Sequence, residues 1–260
     1  MPDNRFYKAL ITYALDLGEA MLKCGAEVSR VEDSLQRIFS CYGATDVDVL
    51  TITSCIILTV TFSPEEVYTQ TRRIKSSETD FDRLSRLNAL SRFICDNRPE
   101  PEEIRVRLQK AVEEPESSGK RFARGLVGTV CVTGSSAVFF GGKAADFAAA
   151  GLVGLVIFAF ERLFRKKILN IPLYNFACML CAGLVALLLS LAFPAIDRDK
   201  VLIGAIMVII PGVAFTNAAR DILLGDTISG SLRLLESVLY AASIAGGIAV
   251  ALLTLGGGIG

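Results

Sequence analysis

Residues 168–196 read ILNIPLYNFACMLCAGLVALLLSLAFPAI, a run of 29 residues without a charged side chain. A helix rises 1.5 Å per residue, so about 20 apolar residues cross the ~30 Å hydrocarbon core of a bilayer. The run is long enough to do so, with Pro172 near its start and Pro194 near its end. We therefore predict a transmembrane helix over residues 172–194.

Further apolar runs lie on both sides of this one. They predict spans at about residues 125–142, 144–160, 201–219 and 233–256. A buried helix of a soluble protein could explain one such run, but five in succession indicate a bundle of about five transmembrane helices. The frequent glycines on these segments favour a packed bundle, because small residues let membrane helices approach closely.

The charged residues are concentrated in the first part of the chain. Residues 1–121 hold 37 of the 54 charged side chains, and residues 122–260 hold the other 17. Water and lipid are therefore implied as the solvents of the two parts. We predict an N-terminal cytoplasmic domain over residues 1–121 and a transmembrane domain over residues 122–260.

The first part has the pattern of a small α+β domain. Apolar residues recur at helical spacing over residues 5–24, 26–40 and 80–95, and a short helix is expected after Pro101. Residues 47–52, 55–62 and 67–74 are rich in Val, Ile and Thr, which favours strands. The fold class is thus an α-helical membrane protein with an N-terminal α+β domain.

Positively charged loops predict the orientation of the spans. The loop at residues 161–167 carries four Lys or Arg, and three more precede the first span, whereas the alternate loops are poorer in them. By the positive-inside rule the N-terminal domain faces the cytoplasm, and five spans place the C-terminus outside. Met1–Lys8 is polar and does not resemble a secretory signal. A multi-pass protein of the inner (plasma) membrane is expected.

Composition excludes several classes of function. The chain has no histidine, which removes imidazole bases, Ser-His and Cys-His pairs and imidazole metal ligands. The net charge is zero without a basic cluster, so no nucleic-acid partner is expected. Cys178 and Cys181 form a C-x-x-C inside an apolar run, which favours small hydrophobic residues over a redox centre. We expect no catalytic residue, metal or cofactor.

The most informative segment reads PGVAFTNAARD at residues 211–221. Pro211 lacks a backbone donor and Gly212 adds conformational freedom, so the fourth span is expected to kink or break there. Breaks at membrane depth line cavities or are buried in protein, and transporters use them to bring helix N-termini to anions. We predict a substrate-binding segment, with a purely structural kink as the alternative. The candidate residues are Pro211, Gly212, Thr216, Asn217, Arg220 and Asp221.

Charged residues after this segment are candidates for a gate or for coupling. They are Asp226, Arg233 and Glu236. Arg220 could attract a substrate anion or close an inward gate through Asp226 or Glu236 as its acidic partner. Its position next to Asp221 also fits an interfacial cap at the end of the span.

The N-terminal domain contains a second group of candidates. After Gly25 interrupts the first amphipathic run, a charged patch follows that is interpretable as an acid/base pair or a ligand clamp; it consists of Glu27, Arg30, Glu32 and Asp33. The i, i+3 spacing of Glu27 and Arg30 favours an ion-paired helix surface instead. Arg72 and Arg73, at the end of the third predicted strand, could hold an anion, although a solvated strand end is favoured.

Several motifs occur in order along the chain. They are Gly18-x-x-x-Leu22-x-x-x-Ala26 with Arg30-Val31-Glu32, Thr71-Arg72-Arg73, Leu87-Asn88-x-Leu90-Ser91-Arg92, the run at Pro211–Asp221, and Gly225-Asp226-x-x-Ser229-Gly230 with Arg233. In these the chain resembles the threonine/serine exporter family. The resemblance implies a cytoplasmic α+β domain, about five spans and export of small hydrophilic metabolites, either threonine/serine-like amino acids or small dicarboxylates.

Fused members of that family carry a second membrane half, which these 260 residues do not include. The chain therefore resembles the longer component of the split type, which implies a smaller companion membrane protein within a homo- or hetero-oligomer. We predict a subunit of a secondary exporter, because no Walker-type G-x-x-x-x-G-K-S/T is present. The alternatives are a membrane-anchored cytoplasmic hydrolase acting through carboxylates and a metabolite-sensing regulator.

Overall fold

The structure is a computed structural model that describes residues 4–75, 80–113, 118–165, 167–168 and 170–256. The described residues form ten helices and a three-stranded sheet. The helices are α1 Asn4–Lys23, α2 Val28–Cys41, α3 Phe81–Asn97, α4 Pro101–Glu113, α5 Ser118–Phe139, α6 Ala144–Phe164, α7 Ile171–Ala192, α8 Arg198–Ile209, α9 Gly212–Leu223 and α10 Thr227–Gly256, and the strands are β1 Asp46–Ile52, β2 Cys55–Ser63 and β3 Glu66–Arg73. The predicted order of two helices, three strands and two helices in the N-terminal part is observed.

The chain divides into two compact units. Unit 1 comprises Met1–Pro115 together with Val213–Leu234, and unit 2 comprises Glu116–Gly212 together with Leu235–Gly260. The N-terminal unit thus contains a piece from late in the chain. That piece includes most of α9 and the beginning of α10, which the sequence assigned to the membrane part.

Unit 1 is built on an antiparallel sheet with the strand order β1-β2-β3. Every second residue of β2 is buried, namely Ile56, Leu58, Val60 and Phe62, because one face of the sheet packs against helices. Helix α1 is the central helix of this core: Leu10, Ile11, Ala14, Leu15, Leu17 and Met21 have no exposed surface. The amphipathic stripe predicted over residues 5–24 is therefore confirmed.

The turn from α1 to α2 explains why Gly25 stands where it does. Gly25 has a φ of +88°, a left-handed conformation that favours glycine. The N–H of Ala26 donates to the carbonyl of Met21 at 3.1 Å, which closes the C-terminus of α1. This turn reverses the chain and sets Glu27 immediately before the first turn of α2.

Unit 2 is a helical bundle whose close contacts are made through small residues. Gly154 on α6 lies against the side chain of Thr133 on α5, and Gly247 on α10 lies against the backbone of Phe176 on α7. A Cβ added to Gly204 would lie 2.5 Å from the carbonyl oxygen of Thr133. Backbones therefore approach closely in this bundle, as the sequence predicted for its glycines.

Four helices of the described residues are long and apolar enough to cross a membrane: α6, α7, α10 and the part of α5 over Phe122–Phe139. Helices α8 and α9 meet the same criteria together as one interrupted span. Helix α8 alone has 12 residues and is ~18 Å long, too short for a ~30 Å hydrocarbon core. The described chain thus has four or, with the interrupted pair, five candidate spans.

The interruption lies at Ile210 and Pro211. Ile210 has an extended ψ of 130°, as expected for a residue before proline, and α9 begins at Gly212. Pro211 also cannot donate a hydrogen bond to continue α8. The break predicted at Pro211–Gly212 is therefore confirmed.

Unit 2 also contains a buried carboxylate whose two oxygens are both satisfied. Asp146, near the start of α6, accepts the N–H of Lys143 with Oδ2 and the N–H of Asp197 with Oδ1, each at 2.6 Å. It joins the beginning of α6 to the loop that precedes α8. Its hydrogen bonds to two backbone groups indicate a structural role for Asp146.

Candidate functional site

The piece of unit 1 from late in the chain is a tight helical hairpin, which we call the α9–α10 hairpin (residues 213–234). Gly225 has a φ of +100° in its turn, and the N–H of Asp226 donates to the carbonyl of Asp221 at 2.9 Å. A Cβ on Gly230 would lie 2.5 Å from Ile222 and 2.8 Å from the carbonyl oxygen of Ala218. Gly225 and Gly230 therefore shape the turn and the close contact of the two helices.

An ion pair joins the two helices of the hairpin. Arg233 Nη1 on α10 donates to Asp221 Oδ2 on α9 at 3.0 Å. The side chain of Asp221 has no exposed surface, and that of Arg233 is 13% exposed. Asp221 Oδ1 has no hydrogen-bond partner among the described residues. A buried carboxylate with one bonded and one unbonded oxygen thus lies inside the hairpin.

A second ion pair connects the hairpin to the start of α2. Arg220 Nη1 donates to Glu27 Oε1 at 2.6 Å. The structure thus pairs Arg220 with Glu27 rather than with Asp226 or Glu236, the partners considered from the sequence. Glu27, considered from the sequence as a surface partner of Arg30, lies in an extended conformation immediately before α2 and pairs with Arg220.

A chain of hydrogen bonds through Thr51 makes a further contact between the hairpin and the N-terminal part. Glu32 Oε1 accepts the N–H of Thr51 at 2.7 Å, and Ser229 Oγ donates to the carbonyl of Thr51 at 3.3 Å. Burial raises the pKa of the Glu32 carboxyl. The hydrogen bond from Thr51 lowers this pKa, and the negative charge of Asp226 raises it further. Thr51, near the end of β1, thus connects α2 with α10.

The remaining candidates of the N-terminal domain lie apart from this network. Arg72 Nη2 pairs with Asp16 Oδ1 at 2.7 Å and its Nε lies 3.6 Å from Glu19 Oε2, so two carboxylates of α1 already engage it. Arg30 and Arg73 are exposed. Arg72 thus pairs within its own domain, as a residue with a structural role would.

The first turns of α9 hold the polar candidates of the membrane segment. Thr216 is exposed and Asn217 is half-buried, about one turn after the break at Pro211. The first N–H groups of a helix have no partner one turn earlier, and its N-terminus carries about half a positive charge. An anion, a hydroxyl and an amide can therefore meet at this end of α9.

Sequence reasoning missed two residues of the network. Thr51 is an uncharged residue in a strand, and nothing in its surroundings in the sequence marks it. Ser229 belongs to the Gly225–Gly230 motif, but its bond to Thr51 joins positions 178 residues apart. The motif was therefore a sequence signal for Ser229 but not for Thr51. The contact between the two residues depends on the tertiary structure.

Apolar helices, an interrupted span and polar residues after the break define a multi-pass membrane protein of the transporter class. Residues 12–255 match the family described as "Putative threonine/serine exporter", and the chain belongs to this family.

Two curated relatives have names that agree with this family. The chain is 24% identical over 254 residues to the "Threonine/serine exporter" of Corynebacterium glutamicum, covering 95% of this chain and 52% of the relative. It is 22% identical over 253 residues to the "Probable threonine/serine exporter" of Mycobacterium tuberculosis, covering 96% and 47%. The chain therefore spans about half the length of the curated relatives it matches. No solved structure matches the chain.

Proposed function

We propose that this chain is a subunit of a secondary exporter of small hydrophilic metabolites in the inner (plasma) membrane. Threonine- and serine-like amino acids are the first candidates, because the relatives bear those names. Small dicarboxylates are the second, because they share the carboxylate that the proposed site would bind. Membership of an exporter family favours a transporter over a hydrolase.

The interruption of the span at Ile210–Pro211 is the observation that carries this proposal. It presents the N-terminus of α9 next to Thr216 and Asn217, and the partial positive charge there attracts a substrate carboxylate. Thr216 or Asn217 then orients the hydroxyl or amino group of the substrate.

The contacts of the α9–α10 hairpin support a gating role for the cytoplasmic domain. Arg220 on α9 is held by Glu27, and Ser229 on α10 is held by Thr51. The first contact fixes α9, the helix that carries the proposed substrate residues, and the second fixes α10, the other helix of the hairpin. Their rupture would let α9 move and expose the substrate site to the cytoplasm.

A companion membrane protein completes the proposed transporter. The resemblance of the chain to the longer component of the split type supports this proposal, since split members work with a second part that is made separately. This part would be the second membrane half, in a homo- or hetero-oligomer. The N-terminal domain would face the cytoplasm, and the driving force would be an ion or substrate gradient.

Transport from lipid vesicles tests the proposal. Vesicles containing the chain with its companion should release labelled threonine, serine or a dicarboxylate, and vesicles with the chain alone should not. Asn217→Ala should lower the rate about tenfold or more with membrane insertion intact, because hydrogen bonds to charged groups contribute about 1.5–3 kcal/mol. Asn97→Ala, which removes an amide from the exposed end of α3, is the matched control.

Two results would count against this function. Full activity of the chain alone would contradict its role as a subunit. Wild-type transport by the Asn217→Ala protein would show that the break is a structural kink without a substrate role at Asn217.

A further inference from the structure

The buried carboxylate of Asp221 has a feature that the proposed substrate site does not use. Its Oδ2 binds Arg233, while its Oδ1 has no hydrogen-bond partner among the described residues although the side chain is fully buried. Asp146, the buried acid of unit 2, has hydrogen bonds to both oxygens. A buried polar atom without a hydrogen bond lowers the stability of the fold by about 1–3 kcal/mol. Binding of a ligand to Oδ1 is therefore favoured, because it removes this penalty.

Charged groups surround Asp221 from each neighbouring element. Arg233 faces it from α10, Asp226 from the hairpin turn, Glu27 from the residue before α2, and Arg220 from α9 itself. The arginines each pair with a carboxylate, Arg233 with Asp221 and Arg220 with Glu27. Asp226 adds a further negative charge, which favours the arrival of a positive ligand at Asp221.

We propose that this ligand is a proton and that Asp221 is the residue through which proton binding is coupled to movement of the α9–α10 hairpin. A proton is the ligand that fits, because the carboxylate has no exposed surface to admit a larger cation. In the described part of the chain no three acidic or thiol side chains are arranged to hold a metal ion. This inference rests on the proposed exporter function.

The chemical step is the addition of a proton to Oδ1. The carboxylate becomes a neutral carboxylic acid, a new O–H bond forms, and the Arg233 guanidinium keeps its charge. The attraction that holds α9 against α10 then weakens, because a charge pair has become a charge–dipole pair. Loss of the proton restores the pair and closes the hairpin again.

The response of transport to a pH gradient tests the coupling. In vesicles with the companion protein, a pH gradient should speed export by the wild type and by Asp96→Asn, which replaces an exposed acid of α3. The gradient should not change whatever rate Asp221→Asn retains, because the amide that replaces the carboxyl group cannot take up a proton. A wild-type response of Asp221→Asn to the gradient would overturn the proposal.

Infrared difference spectroscopy of the full chain provides a readout that does not depend on the substrate. Lowering the pH should produce the C=O stretching band of a protonated, buried carboxyl group in the wild type and in Asp96→Asn. This band should be missing in Asp221→Asn, and identical bands in all three proteins would overturn the assignment. A wild type that moves no substrate but shows the Asp221 band would refute the exporter function while supporting proton binding.

Discussion

Glu27 and Arg220 lie 193 positions apart in the chain, and their charged atoms meet at 2.6 Å. The side chain of Arg220 is 57% exposed, and exposed ion pairs contribute only about 0–1 kcal/mol to stability. A weak but specific contact fits the proposed gate, since it can be broken and formed again at low cost in free energy. The Asp221–Arg233 pair is buried, and removing one of its partners would cost more.

At the residue scale, we predict that reversing the charges of the Glu27–Arg220 pair distinguishes gating from folding. Glu27→Arg and Arg220→Glu alone should each impair transport, because like charges then face one another. The double variant should recover much of the wild-type rate, with a coupling energy of about 0.5–3 kcal/mol. Vesicle transport measures all three, and two independent, additive losses would contradict a direct functional contact.

The elements around the break are positioned by glycine and proline. Pro211 ends α8, Gly225 turns α9 into α10, and Gly230 allows the two helices to touch. These positions lie within one helix–break–helix–turn–helix segment. The close packing of the hairpin therefore positions Asp221, Arg220 and Ser229.

At the element scale, we predict that Gly230→Ala destabilises the hairpin. The added Cβ would meet the backbone of α9, which cannot move aside as a flexible side chain can, so the cost should be about 1–3 kcal/mol. Gly128→Ala on α5 is the matched control, because a Cβ there meets nothing within 4 Å. Thermal unfolding in detergent should show a lower Tm for Gly230→Ala alone, and equal Tm values would contradict the close contact.

On the scale of the whole molecule, the assignment of Val213–Leu234 to unit 1 joins the proposed substrate helix to the N-terminal domain. The two units defined by contacts therefore differ from the polar and apolar parts, residues 1–121 and 122–260, that the sequence defines. The helix that carries Thr216 and Asn217 therefore belongs, by its contacts, to the N-terminal unit.

The orientation of the whole molecule yields a prediction for single-cysteine variants. In a protein without its seven native cysteines, an impermeant thiol reagent added to intact cells should label Asp199→Cys and not Leu163→Cys. The loop at residues 161–167 carries four Lys or Arg and should face the cytoplasm. Both side chains are exposed, so access is limited by the membrane. The reverse labelling pattern would contradict the orientation.

Local patterns in the sequence were sufficient to predict most elements of the fold. Period-2 and period-3.6 apolar spacing located the strands and helices of the N-terminal part, because each pattern reflects which face of an element is buried. The lengths of the apolar runs located the spans. Pro211 located the break, because proline lacks the backbone N–H that a continuous helix requires. The candidates Arg220, Asp221 and Arg233 were also found from the sequence, as polar residues next to an apolar span.

Tertiary structure alone decided which of these residues meet. Opposite charges attract when they are close in space, whatever their separation along the chain. The sequence therefore offered Asp226 and Glu236 as partners of Arg220 as readily as the observed partner Glu27. The contact of Ser229 with Thr51, the unpaired oxygen of Asp221 and the grouping of the hairpin with the N-terminal unit likewise depend on how distant segments pack. The sequence determined the elements, the break and the family of this protein, because those follow from local chemistry. The network that connects the proposed substrate helix to the N-terminal domain exists only in the folded chain.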